Sequence, residues 1–242
     1  MPYPDVLYIV KVSEKNEELK YSLRSLKNLK HCRIFISGYK PSWVKEDVIH
    51  LNPAQQKGQK YQNIKNNLLT AIKDSRLSDE FILMNDDFFI MHPVKRVPTL
   101  RRIKPIEHYI KFFSKLDGQS YYVKTMKATR DLLRSWGIKK IYSYELHVPF
   151  LYNKAKLLVL TDKLETDHYP HLRTIYGNYY NIAGQPIKDV KIINDTQDIP
   201  HESCYLSTID ESFASCRVGE YIRLSFPEKT ILFTNTPRHS KS

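Results

Sequence analysis

The residues in this chain best suited to carry out chemistry are two adjacent aspartates, Asp86 and Asp87. Together with Asn85 they interrupt a run of apolar residues, with 81–84 before them and 88–90 after them. Neighbouring carboxylates are costly to bury among apolar side chains unless a cation neutralises them. Because divalent cations prefer hard oxygen ligands, the pattern favours a metal site that also binds a diphosphate. A turn, or a cap on a following helix, is the alternative interpretation.

The elements predicted around this pair alternate between strands and helices. Strands are expected at residues 5–12, 33–37, 47–51 and 81–84, and helices from Ser13 onward and over 60–71. This order is typical of a doubly wound α/β domain with a mostly parallel central sheet. Ligands bind such sheets at the carboxyl ends of the strands, so the two aspartates are expected to face a cleft.

The second half of the chain is more irregular, because several prolines interrupt it. Helices are expected over 106–116 and 125–136, the second of them ended by Gly137. A compact aromatic turn is expected at 176–180 and a strand at 190–193. The simplest organisation is a single domain over residues 1–235, with a nucleotide-binding half (1–92), an acceptor and active-site half (93–235) and a frayed tail at 236–242.

The composition is that of an ordinary globular protein, with 41% hydrophobic and 26% charged residues among 242. No apolar stretch is long enough to span a bilayer, and the amino terminus lacks the features of a signal peptide. The three cysteines have no metal-type spacing and are typical of a reducing compartment. We therefore expect a cytoplasmic location.

The net charge of +12 indicates an attraction to anions such as nucleotide phosphates, nucleic acid or an anionic membrane surface. The densest group of basic residues comprises Lys95, Arg96, Arg101, Arg102 and Lys104. A solvated face is the simpler interpretation of this group, since no helix-turn-helix, zinc-finger or RNA-binding signature accompanies it. The absence of a P-loop and of a GxGxxG run argues against a nucleoside-triphosphate kinase and a dehydrogenase.

Three further segments carry side chains that could act in a reaction. His147 follows Glu145 by two residues and is a candidate general base, with a structural histidine as the alternative. Arg173 has the planar fork that suits a phosphate, although an exposed ion pair would use the same group. Asp210 and Glu211 form a second acid pair, which either joins a site or begins a helix.

Several segments also occur in a characteristic order along the chain. They are residues 5–10; then 18–26, 41–43 and 81–89; then 145–149 with Arg173; and finally 207–210 with 226–230. In this order and content the chain resembles the Stealth group of sugar-phosphate transferases, and it is similar to small glycosyltransferase-like proteins of bacteriophages. The segment at 81–89 carries the most specific part of the resemblance.

This resemblance implies a GT-A-like fold that binds a nucleotide-sugar, a UDP-sugar, together with Mn²⁺ or Mg²⁺. Asp86 and Asp87 would hold the metal ion and the diphosphate, with Asn85 beside them on the donor. Arg24 and Arg173 would contact phosphate.

The resemblance also implies that His147 deprotonates the acceptor hydroxyl and that Asp210 completes the acidic side of the site. One segment departs from the family, because Ile-Val-Lys-Val stands at residues 9–12 where the family has Trp-Val-Asp-Gly. Lys11 therefore replaces an acid, and we expect it to contact a phosphate of the donor.

Three functions follow as hypotheses. The first is glycosyl transfer from a nucleotide-sugar to an acceptor hydroxyl, with release of a nucleoside diphosphate. The second is transfer of a sugar phosphate, with release of a nucleoside monophosphate. The third is non-catalytic binding of nucleic acid through the positive charge. For a transferase, modified DNA, a protein and a cell-wall polymer are all candidate acceptors.

Overall fold

The computed structural model describes residues 3–13, 16–164 and 171–227, with Lys60 described by its backbone alone. The strands are β1 (Asp5–Val10), β2 (Ile34–Gly38), β3 (Ile49–Leu51), β4 (Glu80–Met84), β5 (Phe88–Ile90), β6 (Leu100–Arg102), β7 (Phe150–Asn153), β8 (Gln185–Ile187) and β9 (Tyr205–Ser207). The α-helices are α1 (Glu17–Ser25), α2 (Lys60–Lys73), α3 (Ile106–Asp117), α4 (Tyr121–Ser135), α5 (Lys154–Lys163), α6 (Leu172–Tyr179), α7 (Asp210–Ser215) and α8 (Arg217–Ser225). The predicted tail at 236–242 and residues 228–230 of the last resembling segment lie outside the described residues.

A central five-stranded sheet has the order β3-β2-β1-β4-β7. Strands β3, β2, β1 and β4 are parallel, and β7 pairs antiparallel with β4. The predicted α/β class with a mostly parallel central sheet is confirmed. From β1 the chain moves outward to β2 and β3, then returns to place β4 on the other side of β1. The direction of winding therefore reverses between β1 and β4.

Two smaller pairings accompany this sheet, β5 antiparallel with β9 and β6 parallel with β8. The described residues group into two compact units that interleave along the chain. The first unit comprises the described residues within Met1–Val97, His147–Lys154 and Val190–Ser242, and the second those within Pro98–Leu146 and Ala155–Asp189. The central sheet and the β5–β9 pair belong to the first unit.

Strands β1 and β4 read as continuous apolar runs because both are buried. Val6, Leu7 and Tyr8 of β1 are fully buried, as are Phe81 and Met84 of β4. Parallel strands covered on both faces require such runs, whereas a half-exposed strand would alternate with polar residues. None of the helices in the described part of the chain is both long and apolar enough to cross a membrane.

The structure corrects the predicted start of the first helix. Helix α1 begins at Glu17, preceded by Asn16 in the left-handed conformation with φ of 44°, and not at Ser13. The Asn16 side-chain amide donates to the backbone carbonyl of Ser13. Asparagine tolerates this conformation better than most residues, so it allows the chain to turn between β1 and α1.

Two other predicted elements also differ from the structure. Residues 176–180 fall mostly within α6, which ends at Tyr179. The Asn178 side chain accepts a hydrogen bond from Tyr142 N–H at 3.0 Å and donates one to Tyr142 O at 2.7 Å, and these two bonds stabilise the helix. Residues 190–193 make a single bridge, between Lys191 and Ser207, before the chain turns away at Asn194. The segment is therefore too short to form a strand.

The predicted role of Gly137 at the end of α4 is confirmed. Gly137 has φ of 82°, its N–H donates to Arg134 O at 2.9 Å, and Ile138 N–H donates to Leu133 O at 3.0 Å. An added Cβ would meet no atom within 4 Å, so only the backbone conformation opposes a side chain here. We expect Gly137→Ala to lower the free energy of unfolding by about 1 kcal/mol.

Urea denaturation followed by circular dichroism would measure this change. Gly137→Asn is the matched control, and we expect a smaller loss because asparagine tolerates a positive φ. Equal losses in the two variants would contradict the backbone explanation.

Candidate carboxylate site

The site occupies the carboxyl ends of β1 and β4, the two neighbours at which the winding of the sheet reverses. Lys11 follows the last residue of β1, and residues 85–87 follow the last residue of β4. In open α/β sheets, ligands bind in the crevice at such a reversal because the connecting loops diverge there. The topology therefore brings Lys11, Asp86 and Asp87 to the edge of the sheet where ligands bind.

Asp87 has two partners in the first unit. Its Oδ2 lies 3.0 Å from Lys191 Nζ and accepts a hydrogen bond from Ser207 Oγ at 3.3 Å. The side chains of Lys191 and Asp87 are only 21% and 16% exposed, so water screens this ion pair poorly. Lys191 thus meets part of the need for a cation that the half-buried carboxylate pair creates.

A second pair of carboxyl groups lies close by. Glu18, on α1, is buried and accepts a hydrogen bond from Thr208 Oγ1. It also shares a hydrogen bond with Asp210, the first residue of α7. Asp210 in turn lies 3.8 Å from Lys11 Nζ, at a more exposed position. Four carboxyl groups and two ammonium groups therefore contribute to one site.

The electrostatics of the site favour protons or other cations. Burial raises the pKa of Asp86 to about 6, and the nearby charge of Asp87 adds to this effect, whereas Lys11 opposes it. Burial raises the pKa of Glu18 to about 8, with a further contribution from its hydrogen bond to Asp210. The same hydrogen bond lowers the pKa of Asp210. The opposite shifts of these two pKa values favour the proton on Glu18, as the donor of the shared hydrogen bond, over Asp210, as its acceptor.

The raised pKa of Glu18 makes the stability of the folded protein depend on pH. In the folded protein this pKa is about 8, against 4.5 for the unshifted group. The unfolded chain therefore loses its proton first, and the stability from protonated Glu18 is lost as pH rises from about 4.5 to about 8. We expect Glu18→Gln, which keeps a donor for Asp210 without titrating, to make unfolding less dependent on pH across this range.

Urea denaturation at pH 5 and pH 9 would test this expectation. Glu46→Gln is the control, since Glu46 is exposed and is expected to leave the pH dependence unchanged. An equal loss of stability between pH 5 and pH 9 in the wild type and Glu18→Gln would contradict the assignment.

The remaining predicted site residues of the first unit have well-defined surroundings. Asn85 is half-buried, and its backbone carbonyl accepts from Phe88 N–H at 3.3 Å. His147 is half-buried, with its ring edge-on to Phe88 at 6.2 Å between centroids. Arg24 is buried over the ring of Tyr21, and its NH1 donates to Phe226 O at 3.3 Å.

In the second unit, Arg173 is buried and its NH1 donates to Leu146 O at 2.8 Å. Part of the predicted basic cluster is also internal to that unit. Arg102 is buried and paired with Asp189 at 2.8 Å, and Arg101 lies over the ring of Tyr142 at 3.7 Å. These arginines have defined protein partners, so the basic cluster is not a uniformly solvated face.

Sequence reasoning missed Glu18, Lys191 and Thr208 as members of this site. In the sequence, Glu18 stands out only as an acid in the first turn of a helix. A favourable interaction with the helix dipole explains such an acid without any role in a site. Lys191 stood in a segment predicted to be a strand, and Thr208 between a strand and an acid pair. No local pattern marks either of them.

The fit of a divalent cation depends on the number and type of donors. Within the described ranges, no three or more His, Cys, Asp and Glu side chains are grouped so that they could hold a metal ion on their own. Mg²⁺ in nucleotide sites is commonly bound by one or two carboxylates, with substrate phosphates and waters completing the octahedron. Asp86 and Asp87 supply that number of hard donors, so they fit a metal that arrives with a diphosphate.

The fold and the site together define a mixed α/β protein with a carboxylate site at the reversal point of a mostly parallel sheet. No protein-family model matches the chain, and no curated protein matches it either. The resemblance to the Stealth group therefore stays a prediction from the sequence.

Proposed function

We propose that this protein is a metal-dependent glycosyltransferase of the GT-A type, which moves a sugar from a nucleotide-sugar to an acceptor hydroxyl. The observation that supports this proposal most is the position of Asp86 and Asp87 at the carboxyl end of β4, beside the reversal of the sheet. Nucleotides bind at such a reversal in other open α/β sheets. The raised pKa of Asp86 adds support, since it indicates an unmet need for positive charge.

In this proposal Asp86 and Asp87 hold Mg²⁺ or Mn²⁺. The bound cation would screen the negative charge that develops on the leaving diphosphate. The exposed ammonium of Lys11, in reach of Asp210, would attract the anionic donor and contact its phosphates. We assign this role to Lys11 rather than to Arg24, because Arg24 is buried against Tyr21 and bonded to a backbone carbonyl.

His147 belongs to the same compact unit as the carboxylates and is the proposed general base. During transfer, the bond between the anomeric carbon and the diphosphate oxygen breaks and a bond to the acceptor oxygen forms. The acceptor's proton passes to His147, a contribution of about 10²–10⁴-fold to the rate. Asp210, which shares a hydrogen bond with Glu18, would complete the acidic side of the site.

A screen of nucleotide-sugars tests the proposal without knowledge of the acceptor, because water can replace the acceptor hydroxyl in a slow hydrolysis. The purified protein would be incubated with UDP-, GDP-, ADP- and dTDP-sugars and Mn²⁺ or Mg²⁺, and the released nucleotide identified by chromatography. We expect a nucleoside diphosphate, released from a UDP-sugar and suppressed by EDTA.

Each other outcome of the screen has a definite meaning. Release of a nucleoside monophosphate alone would replace glycosyl transfer by transfer of a sugar phosphate. Absence of cleavage with every donor and with candidate acceptors present, together with steeply salt-dependent DNA or RNA binding that survives Asp86→Ala and Asp87→Ala, would replace the transferase by a nucleic-acid-binding protein.

A further inference from the structure

We infer that Lys191 is a built-in counter-ion of Asp87 which competes with the divalent cation for that carboxylate and thereby sets the cation affinity of the site. The inference rests on the proposed function in taking Asp87 as a metal ligand. It adds Lys191, from a distant part of the chain, to that site. The specific role of Lys191 is that of a resident cation, which is displaced when the metal binds.

The geometry at Asp87 supports direct competition. Lys191 Nζ lies 3.0 Å from Asp87 Oδ2, and Ser207 Oγ donates to the same oxygen at 3.3 Å. A Mg²⁺ ion requires its carboxylate oxygen at about 2.0–2.1 Å. An ammonium group bonded to that oxygen would lie within a few ångströms of the metal, where poor screening makes two positive charges repel strongly. Metal binding at Oδ2 therefore requires the lysine side chain to move away, and binding at the other carboxylate oxygen is weakened by the nearby charge of Lys191.

The backbone around Lys191 is held firmly, so the side chain alone is free to make this movement. Ile192 N–H donates to Ser207 O at 2.8 Å, and Ser207 N–H donates to Val190 O at 3.3 Å. Gln197 Nε2 donates to Lys191 O at 3.2 Å. Ile192 is also buried in an apolar cluster that contains Phe89 and Leu206. The four-carbon stem of lysine has several rotatable bonds and can withdraw its charge without any shift of the backbone.

Lys11, the other ammonium group of the site, does not have this role. Its side chain is 57% exposed and lies 3.8 Å from Asp210, which is itself 73% exposed. An ion pair at that distance and exposure is weak, because water and salt screen it. Lys191 is therefore the resident cation whose removal would alter metal binding most.

Binding of Mn²⁺ in the presence of a fixed concentration of UDP, measured against UDP without protein, tests the inference, because the diphosphate supplies the ligands that Asp86 and Asp87 lack. Free Mn²⁺ would be measured by electron paramagnetic resonance during titration of the wild type, Lys191→Met, Lys191→Gln and Lys191→Arg at one pH and ionic strength. We expect both neutral variants to bind Mn²⁺ roughly tenfold more tightly or better, because the competing charge is gone. Lys191→Arg keeps the charge and is expected to bind no more tightly than the wild type.

Two controls separate local competition from a general change in charge. Lys45→Met removes an exposed lysine of the same unit and is expected to leave the affinity unchanged. Asp87→Asn in the Lys191→Met background is expected to abolish the gain. Circular dichroism would show that each variant is folded, and Lys191→Gln supplies the neutral side chain should Lys191→Met not fold.

Unchanged or weaker Mn²⁺ binding in the folded neutral variants would overturn the inference, as would an equal gain in Lys191→Arg. Absence of Mn²⁺ binding in every variant would overturn it too. These outcomes are distinct from failure of the proposed function. Tighter Mn²⁺ binding in the neutral variants with no cleavage of any donor would reject the transferase and keep the role of Lys191. Metal-dependent cleavage with unchanged Mn²⁺ affinity would reject the role of Lys191 and keep the transferase.

Discussion

Asp87→Asn is expected to lower metal-dependent cleavage of a nucleotide-sugar by about 10²–10³-fold, because it removes one of the two negative charges that hold the cation. Asparagine has nearly the same shape as aspartate, and its amide oxygen can still accept from Lys191 and Ser207. The variant should therefore fold normally while losing the attraction for the metal. The measurement is the initial rate of nucleotide release at saturating donor over a range of Mn²⁺ concentrations.

Asp47→Asn is the matched control for this experiment. Asp47 is an exposed aspartate of the same compact unit, outside the carboxylate site, and we expect its substitution to leave the rate unchanged. A folded Asp87→Asn variant with wild-type activity would show that Asp87 does not hold a catalytic metal. Partial recovery at high Mn²⁺ would support the assignment, since it indicates weakened cation binding.

The largest expected effect on stability is that of Asp5→Ala, with a loss of about 3 kcal/mol or more. Asp5 is fully buried at the start of β1. Its carboxylate accepts hydrogen bonds from the backbone N–H of Arg33 at 3.0 Å and of Ser78 at 2.8 Å, and from Arg33 Nε and NH2 at 3.1 and 2.8 Å. Alanine would leave all four donors without this partner.

The expected value lies at the low end of the range for broken buried ion pairs, because the Arg33 side chain is 45% exposed and can be hydrated. The midpoint of urea denaturation would measure the loss. Asp131→Asn is the control, since Asp131 makes an exposed ion pair with the neighbouring Arg130 and is expected to change stability little. Similar midpoints for the two variants would show that Asp5 does not tie the beginnings of β1, β2 and β4 together.

Much of the fold could be predicted from local pattern. The run at 81–84 lies within β4, and the helix expected over 60–71 is α2, extended by two residues. These predictions were accurate because long apolar runs and helical periodicity reflect burial directly. The turn predicted at 176–180 was wrong. Aromatic residues around a glycine are typical of a turn, and this local pattern led to the prediction. In the structure the Asn178 side chain, bonded to Tyr142, supports a helix there instead.

The sequence by itself determined the alternation of strands and helices, the buried runs of β1 and β4, and the place of the aspartate pair at a strand end. Only the tertiary structure decided which groups meet these carboxylates. Lys191 is 104 residues from Asp87, and Thr208 is 190 residues from Glu18. Local propensity acts over a few neighbouring residues, whereas such contacts depend on how β9 and α7 pack beside β5 and α1. For this reason the aspartate pair could be found in the sequence, whereas its counter-ion Lys191 and the buried Glu18 could not.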